Sequence, residues 1–542
     1  MNGLSRRRFL EYGIGAGAAL LVPPLLRPPG ALAARGGALR RYVQPVPLPG
    51  HGVVVAAPKH GSSYAFVQRQ IERQLHPDLP PTPVWAYDDG SGLAAQAGSF
   101  GMAIAAERDV SIEATFTNRL PEVYPEWIPD DRRLLPSDDD TVRLMTHLHG
   151  GFVSAADDGN PCITPNGFAY GEAQRVSYPN AQAASLLWFH DHGLGATRLN
   201  VFAGLAGAYI LRDEYDTGAE PNPAGLPGGA YELPLVIQDR LFNADGTFLY
   251  PRSLIGSDVS WIGEYFGDTM LVNGKVWPYV EVEPRLYRLR LLNGCNARIL
   301  NLHLGGVPMW QVGGDLGLWD KPMPLDGVVL APAERADLVV DFSRSSGQTL
   351  ILTNSPPRPP VSTPAPPLPH VMQIRVGTRV THLGPASVPA SLPGIAADLL
   401  AATNKRFITL NEVNVDQPDW YLNLNGDSFM DGPAATETPT AGAVEDWHWV
   451  NLTADTHPMH IHLVGHQVVG RIPFDARAYT DAAKNAGAWT ASSGVRGGFD
   501  PSAFYTGPMQ PPDPAERGFK DTTKAHPGFV TVVRARFDLP PG

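Results

Sequence analysis

Residues Thr146-His147-Leu148-His149-Gly150-Gly151 carry two histidines that are one residue apart. In a β-strand, residues i and i+2 point to the same face with Cα atoms about 6.5 Å apart, so two such imidazoles can bind one metal ion or two neighbouring ions. Two further pairs occur, in His190-Asp191-His192-Gly193 and in His457-Pro458-Met459-His460-Ile461-His462. With 16 histidines in 542 residues, chance predicts about 0.5 such pairs, so three pairs indicate a metal site rather than coincidence.

The residues that follow each histidine pair argue against two common classes of metalloprotein. Neutral imidazole is a good ligand for copper, zinc, iron and nickel, whereas a single pair on a polar strand face needs no metal at all. A zinc hydrolase of the His-x-His-x-Asp-His kind needs Asp-His after a pair, and a cupin needs a glutamate a few residues beyond it. The residues after His149, His192 and His462 supply neither. Both classes of metalloprotein are therefore disfavoured.

In their order along the chain, the motifs His-Leu-His-Gly, Trp-Phe-His-Asp-His-Gly and His-Pro-Met-His-Ile-His resemble the first three copper motifs of the multicopper oxidases. The first motif, with Asp157-Asp158-Gly159 shortly after it, is most similar to the bacterial branch that contains spore-coat laccase, bilirubin oxidase and phenoxazinone synthase. The resemblance extends from about Arg41 to the end of the chain. It implies an all-β fold of three consecutive cupredoxin-like β-sandwich domains.

Composition independently favours that fold class. The 56 glycines and 54 prolines make up about one residue in five, which argues against long helices and favours short strands joined by turns. Three β-rich blocks predict domains at 41–213, 229–378 and 405–542, the third of them incomplete, with a proline-rich loop, 356–369, between two strands of the second. A net charge of −12 without a long basic run argues against nucleic acid as a partner. Two cysteines exclude a disulfide scaffold, a Cys-rich zinc protein and an iron–sulfur protein.

Residues 1–33 are predicted to be a twin-arginine signal peptide. Arg6-Arg7-Arg8-Phe9-Leu10 precede an apolar stretch from Tyr12 to Leu26, and the small-residue cleavage site Ala31-Leu32-Ala33 follows. A membrane anchor is the alternative, but the stretch is short and contains Pro23 and Pro24. We therefore expect export by the twin-arginine translocase to the periplasm or the extracellular space and cell surface, with no stable membrane insertion after cleavage.

The resemblance also implies three kinds of copper. The first histidine of His-x-His-Gly and the middle histidine of His-Pro-x-His-x-His would bind type 2 copper, and the first histidine of the third motif would bind type 1 copper, which receives electrons from the substrate. The other four histidines would bind the two ions of the type 3 pair. In this sequence these ligands are His147 and His460 for type 2, His149 with His190 and His192 with His462 for type 3, and His457 for type 1.

The implied reaction couples one-electron oxidation of phenolic, aminophenolic or bilirubin-like substrates to the four-electron reduction of O2 to water. Asp158 matches an acidic residue that, in the family, lies near the solvent channel of the copper cluster and helps to supply protons to oxygen. The alternative for Asp158 is a turn residue before Gly159.

The family's fourth copper motif, His-Cys-His followed by three residues and another histidine, does not occur in this sequence. Its cysteine supplies the thiolate of the type 1 site, which needs a His₂Cys arrangement. Cys162 and Cys295 have no flanking histidines, and they either pair with each other or remain ordinary apolar residues. We therefore expect that the sequence stops short of the motif and that the chain as given is inactive. A non-catalytic copper-binding or structural cupredoxin protein is the alternative.

Replacement of both Arg6 and Arg7 by Lys is expected to trap the precursor inside the cell, because the translocase recognises the paired arginines. Cell fractionation followed by immunodetection measures the effect. Normal export of the double variant would contradict the twin-arginine assignment.

Residues 34–542, loaded with copper, are expected to be colourless and to consume no O2 with a phenolic substrate, because neither cysteine has the histidine context of a blue site. The same chain extended by about 35–40 residues that contain His-Cys-His-x₃-His should be blue and active. Visible absorption and O2 uptake of the two proteins, measured side by side, decide the matter. A blue, active 34–542 protein would mean that Cys162 or Cys295 is a copper ligand.

Overall fold

The computed structural model describes residues 39–49, 52–53, 62–91, 103–129, 141–161, 167–251, 264–357, 365–394, 401–414, 420–427 and 435–540. The predicted signal peptide, 1–33, and Cys162 lie outside these residues. Within them almost all regular structure is β-strand, so the all-β prediction is confirmed. None of the described helices has the length and apolar character that a membrane crossing requires.

The first part of the chain forms two four-stranded sheets and one two-stranded sheet. Its elements are β1 (Leu48–Pro49), β2 (Gly52–Val53), β3 (Ser63–Arg73), β4 (Thr82–Asp88), β5 (Ala103–Glu107), β6 (Ile112–Arg119), β7 (Thr146–His149), β8 (Ala173–Tyr178), β9 (Ser185–Asp191), helix α1 (Thr197–Ala203) and β10 (Ala206–Arg212). The strand orders are β4-β3-β6-β8 and β5-β10-β9-β7, and β1 pairs with β2. Strands β7 and β9, which carry two of the histidine motifs, are therefore neighbours.

The second part of the chain forms a seven-stranded and a five-stranded sheet. After a 3₁₀ turn (Gly229–Tyr231) come β11 (Glu232–Arg240), β12 (Thr269–Val272), β13 (Lys275–Val276), β14 (Tyr279–Val282), β15 (Leu286–Asn293), β16 (Leu300–His303), β17 (Met309–Gly314), β18 (Gly317–Leu325), β19 (Val328–Leu330), β20 (Arg335–Asp341), β21 (Thr349–Asn354) and β22 (His370–Val376). The orders are β13-β12-β11-β15-β20-β17-β18 and β14-β22-β21-β16-β19. Because β21 and β22 are antiparallel neighbours, the proline-rich segment 356–369 connects two strands of one sheet, as predicted.

The third part of the chain forms a five-stranded sheet and two two-stranded sheets. Its elements are β23 (Asn404–Asn414), β24 (Trp420–Leu424), β25 (Val444–Asn451), β26 (His457–His460), β27 (His466–Pro473), helix α2 (Ala476–Asn485), β28 (Trp489–Thr490), β29 (Gly494–Val495), two 3₁₀ turns (Ser502–Phe504 and Pro514–Glu516), β30 (Thr522–Ala525) and β31 (Phe529–Arg536). The large sheet has the order β24-β23-β25-β31-β27, while β26 pairs with β30 and β28 with β29. The third histidine motif thus begins on a strand outside the large sheet.

Alternation of apolar and polar residues explains how the first two sheets pack face to face. Along β6, Ile112, Ala114 and Phe116 are buried, while Glu113 between them is exposed. The Phe116 ring lies 6.2 Å from that of Phe189 on β9, in the opposite sheet. Aromatic rings of the two sheets therefore meet in one core, as in a β-sandwich.

Strand β15 departs from that alternation, because every residue in it is buried. It nevertheless contains two arginines, and burial of a charge is costly unless the charge is paired. Arg288 donates to Asp216 at 2.7 and 2.8 Å and to Asp337 at 2.8 Å. Arg290 donates to Glu232 at 3.0 Å. The strand can thus be buried on both faces because ion pairs neutralise its two arginines.

Candidate metal centre

Six of the seven predicted histidine ligands come together in one cluster, in which three rings are buried and three are half-buried. The ring centroids of His147 and His462 are 4.0 Å apart and those of His149 and His460 are 3.7 Å apart, and both pairs are stacked. The rings of His190 and His192 complete the group, each 5.4 Å from that of His147. We call these six residues the six-histidine cluster: His147, His149, His190, His192, His460 and His462.

Strand pairing brings the first two motifs together. In the antiparallel register of β7 and β9, His147 lies directly opposite His190. Asp191 then fixes the end of β9, because its buried carboxylate accepts hydrogen bonds from the backbone N–H groups of Met145 (3.0 Å) and Gly193 (3.0 Å) and from Asn200 Nδ2 (2.7 Å). Burial raises the pKa of Asp191 to about 6 in spite of these donors. The chain therefore turns with both histidines held next to the cluster.

Hydrogen bonds to one ring nitrogen leave the other nitrogen free in four of the six rings. His147 Nδ1–H donates to the Asp158 carbonyl at 2.5 Å, His190 Nδ1–H to the Asp191 carbonyl at 2.8 Å, His460 Nδ1–H to the Asp521 carbonyl at 2.9 Å and His462 Nδ1–H to Asp158 Oδ2 at 2.8 Å. A neutral imidazole that donates from Nδ1 carries a lone pair on Nε2. All four rings are therefore in the tautomer that can bind a metal through Nε2.

In His149 the hydrogen-bonded nitrogen is Nε2 instead of Nδ1. Its Nε2–H faces Thr522 Oγ1 at 3.1 Å and Asp521 Oδ1 at 3.2 Å. The ring therefore keeps Nδ1 as its metal-binding nitrogen.

Ring nitrogens without hydrogen-bond partners make the cluster suitable for binding copper. His147 Nε2 and His460 Nε2 are buried and have no hydrogen-bond partner among the described residues, which is costly unless a ligand fills the space. Nitrogens of His147, His149 and His460 lie within 4.8 Å of one another, and the same holds for ligand atoms of His147, Asp158 and His462. An imidazole-rich donor set of this kind suits copper.

Burial keeps five of the six rings uncharged. It lowers the pKa of His147, His149 and His192 to about 4 and brings the pKa values of His190 and His460 well below the usual range. Neighbouring histidines lower these pKa values further, because each added positive charge would repel the others. Near neutral pH these five rings are therefore in the form that binds metal.

Asp158 lies at the edge of the cluster and contacts two of its rings. Besides its bond to His462, Asp158 Oδ1 is 3.3 Å from His147 Nδ1. Although burial opposes its charge, these two histidines hold the pKa of Asp158 below its usual range. Gly159 makes the approach possible, since its φ is +74° and a Cβ there would lie 2.2 Å from the Thr146 carbonyl oxygen.

His457 lies apart from the six-histidine cluster. It is three residues from His460 on β26, so the two side chains point to opposite faces of the strand. Its Nε2 lies 2.6 Å from Thr453 Oγ1, which leaves Nδ1 as the nitrogen that can bind a separate ion, as far as the described residues show. Cys295 follows β15, where its thiol contacts the Ile237 carbonyl at 3.8 Å and burial raises its pKa. The structure thus gives Cys295 the surroundings of a protonated core residue rather than those of a copper ligand.

Three residues around the cluster were not anticipated from the sequence. Asp521 and Thr522 contact His149, and the Trp188 ring packs 4.1 Å from that of His190. Asp521 and Thr522 lie in a segment without a histidine motif, so only the fold brings them to the site. Trp188 stands two residues before His190, and the same-face rule for strands could have identified it as a neighbour.

Comparisons with known proteins give one consistent match. Models of multicopper oxidase domains match residues 141–216 and 403–542. The chain is 34% identical over 518 residues to a laccase of Bacillus subtilis, covering 92% of this chain and 93% of that protein. It is also 34% identical to a laccase of Haloferax volcanii, covering 99% and 87%. The fold is similar to the crystal structure of McoA, a multicopper oxidase of Aquifex aeolicus, with a TM-score of 0.68, 23% identity and coverage of 93% and 94%.

The copper-free protein is expected to become less stable as the pH falls from 7 to 5. Because the pKa values of His147, His149 and His192 are lowered from 6.5 to about 4, the unfolded chain binds protons in this range that the folded chain does not, and stability therefore rises with pH. The free energy of unfolding should fall by on the order of 2 kcal/mol for each ring at pH 5.

Urea unfolding of the copper-free protein at pH 7, 6 and 5 measures this dependence. His147→Gln should reduce the pH dependence, whereas His303→Gln, on β16 in another sheet, should leave it unchanged. Equal stability of the wild-type protein at pH 7 and pH 5 would contradict the buried, neutral state of the rings.

Proposed function

The chain belongs to the multicopper oxidase family and is a laccase-like, copper-dependent oxidoreductase, and on this premise we propose that the six-histidine cluster is its trinuclear copper site. The observation that carries the proposal is the set of free, buried ring nitrogens. Six imidazoles converge while hydrogen bonds engage the other nitrogen of five of them. A cluster built only for packing would not leave His147 Nε2 and His460 Nε2 without partners.

We assign type 2 copper to His147 and His460. Their Nε2 atoms are buried and have no hydrogen-bond partner among the described residues, and the same is true of His192 Nδ1. The division between type 2 and type 3 therefore follows the positions of the histidines in their motifs. The remaining four rings form the type 3 set: His149 with His190, and His192 with His462. His457 is assigned to type 1 copper, in agreement with its separation from the other rings and its free Nδ1.

Copper supplies the electron transfer from the reducing substrate to O2, which this family reduces to water. The chain's own residues hold the imidazoles neutral, orient them and limit the access of water. Asp158 accepts a hydrogen bond from His462 and lies beside His147, so it orients two rings that we assign to different coppers. We also propose that Asp158, whose side chain is 14% exposed, helps to supply protons to oxygen.

Phenols, aminophenols or bilirubin-like pigments are proposed as the reducing substrates. The laccases of Bacillus subtilis and Haloferax volcanii support an organic reducing substrate for this chain.

We further propose export of the folded protein to the periplasm or the extracellular space and cell surface. This proposal rests on Arg6-Arg7 and the apolar stretch that follows them.

Replacement of His147 or His460 by Ala is expected to abolish the type 2 copper signal, because each residue supplies one imidazole of that site. Electron paramagnetic resonance and the copper-to-protein ratio of the loaded protein measure the loss. His303→Ala is the matched control and should keep the wild-type ratio. Circular dichroism verifies that each variant is folded. A type 2 signal that persists in both His147→Ala and His460→Ala would overturn the assignment.

A further inference from the structure

We propose that Arg335 and Asp521 form a positioning pair that fixes the copper ligands of the first and third histidine motifs relative to each other. The inference rests on the proposed trinuclear site. Neither residue is a ligand in that assignment. Both act through His149 and His460, which they hold in the orientation that binds metal.

Asp521 contacts two rings of the cluster through different atoms. Its Oδ1 lies 3.2 Å from His149 Nε2, and its backbone carbonyl accepts a hydrogen bond from His460 Nδ1 at 2.9 Å. These two rings are stacked at 3.7 Å between centroids. One residue therefore sets the tautomer of a ring from β7 and of a ring from β26, which belong to different sheets.

Arg335 holds the Asp521 carboxylate in place with both arms of its guanidinium group. Nη1 donates to Asp521 Oδ1 at 2.8 Å, and Nη2 donates to Asp521 Oδ2. Both side chains are 1% exposed. In such a buried pair, the planar guanidinium fixes the plane of the carboxylate as well as its distance.

The three remaining N–H groups of the guanidinium are also engaged. Nε donates to the Leu186 carbonyl at 3.0 Å, Nη1 to the Ala333 carbonyl at 2.9 Å and Nη2 to the Asp315 carbonyl at 3.0 Å. Each of the five N–H donors of Arg335 therefore has its own acceptor. Leu186 lies on β9, the strand that carries His190, so the arginine also ties that strand to Asp521.

Lysine cannot replace this arrangement. Its ammonium group has three donors and no fixed plane, whereas the site presents five acceptors. Arg335→Lys keeps the positive charge but leaves at least two acceptors without a donor. The Asp521 carboxylate then keeps its bond from Thr522 Oγ1 at 2.9 Å but loses the planar partner that fixes its orientation. Loss of a group that orients a metal ligand typically weakens metal binding by about 10–100-fold.

Arg288 provides a matched control elsewhere in the chain. It is also fully buried, and it makes paired hydrogen bonds with the carboxylates of Asp216 and Asp337. Those carboxylates bond to arginines and to Asn222 rather than to the cluster in the described contacts. Arg288→Lys therefore disturbs a comparable buried ion pair without disturbing a copper ligand.

The test compares Arg335→Lys, Arg288→Lys and the wild-type protein in chelator-competition titrations with copper. Paramagnetic resonance of type 2 copper and the copper-induced rise in Tm are recorded as well. We expect Arg335→Lys to bind cluster copper about 10–100-fold more weakly, with an altered type 2 spectrum and a smaller rise in Tm. Arg288→Lys should lose stability but keep the wild-type affinity and spectrum.

Each outcome discriminates between the two proposals. Wild-type affinity and spectrum in Arg335→Lys would overturn the positioning role, and so would equal losses in both lysine variants. If Arg335→Lys does not fold, Asp521→Asn decides by the same readouts, and unchanged copper affinity in that variant overturns the inference. Failure of the wild-type protein to bind copper through the six-histidine cluster would instead refute the proposed function.

Discussion

The rest of the metal centre depends on one constraint, which five of the six imidazoles satisfy: one ring nitrogen is engaged in a hydrogen bond so that the other stays free. In four rings a carbonyl or carboxylate accepts from Nδ1, and in His149 the acceptors face Nε2 instead. For three of the rings the acceptor is a backbone carbonyl. The carbonyls of Asp158, Asp191 and Asp521 each orient one ring, and backbone groups cannot be replaced by a point substitution.

Burial also prepares the rings for metal, because it favours their neutral form. Five of the rings lie where burial makes a charge costly, and a charge on one would repel a charge on its neighbours. These five rings are therefore neutral in the folded chain and ready for metal. Asp158 and Asp521 carry the opposite charge next to them, and each keeps a low pKa against burial because histidines or an arginine face it. The negative charges of these two carboxylates therefore favour the binding of a cationic metal among the neutral rings.

Buried ion pairs join the second and third parts of the chain next to the cluster. Lys524 donates to Glu334 at 2.8 Å, Lys520 to Asp315 at 2.9 Å and Arg335 to Asp521 at 2.8 Å. Such pairs contribute little net stability compared with apolar packing, but removal of one partner leaves a buried charge and is strongly destabilising. They tie the second part of the chain to β30 and the residues just before it, and β30 is the strand that pairs with β26 and its His460.

The sequence by itself determined the fold class, the family and six of the residues that converge. Period-two burial and frequent turns are local properties, so strands such as β6 could be predicted from their own residues. The His-x-His pairs are local as well, because strand geometry places both rings on one face. Only the tertiary structure decided which nitrogen of each ring is free, since the acceptors come from Asp158, Asp191 and Asp521 at no common spacing from the rings. The roles of Asp521 and Arg335 were likewise beyond sequence analysis. Asp521 contacts His149 across 372 residues of sequence, and Arg335 bonds to Asp521 rather than to the ring. A buried arginine or aspartate has no local pattern that separates it from one in a solvated turn.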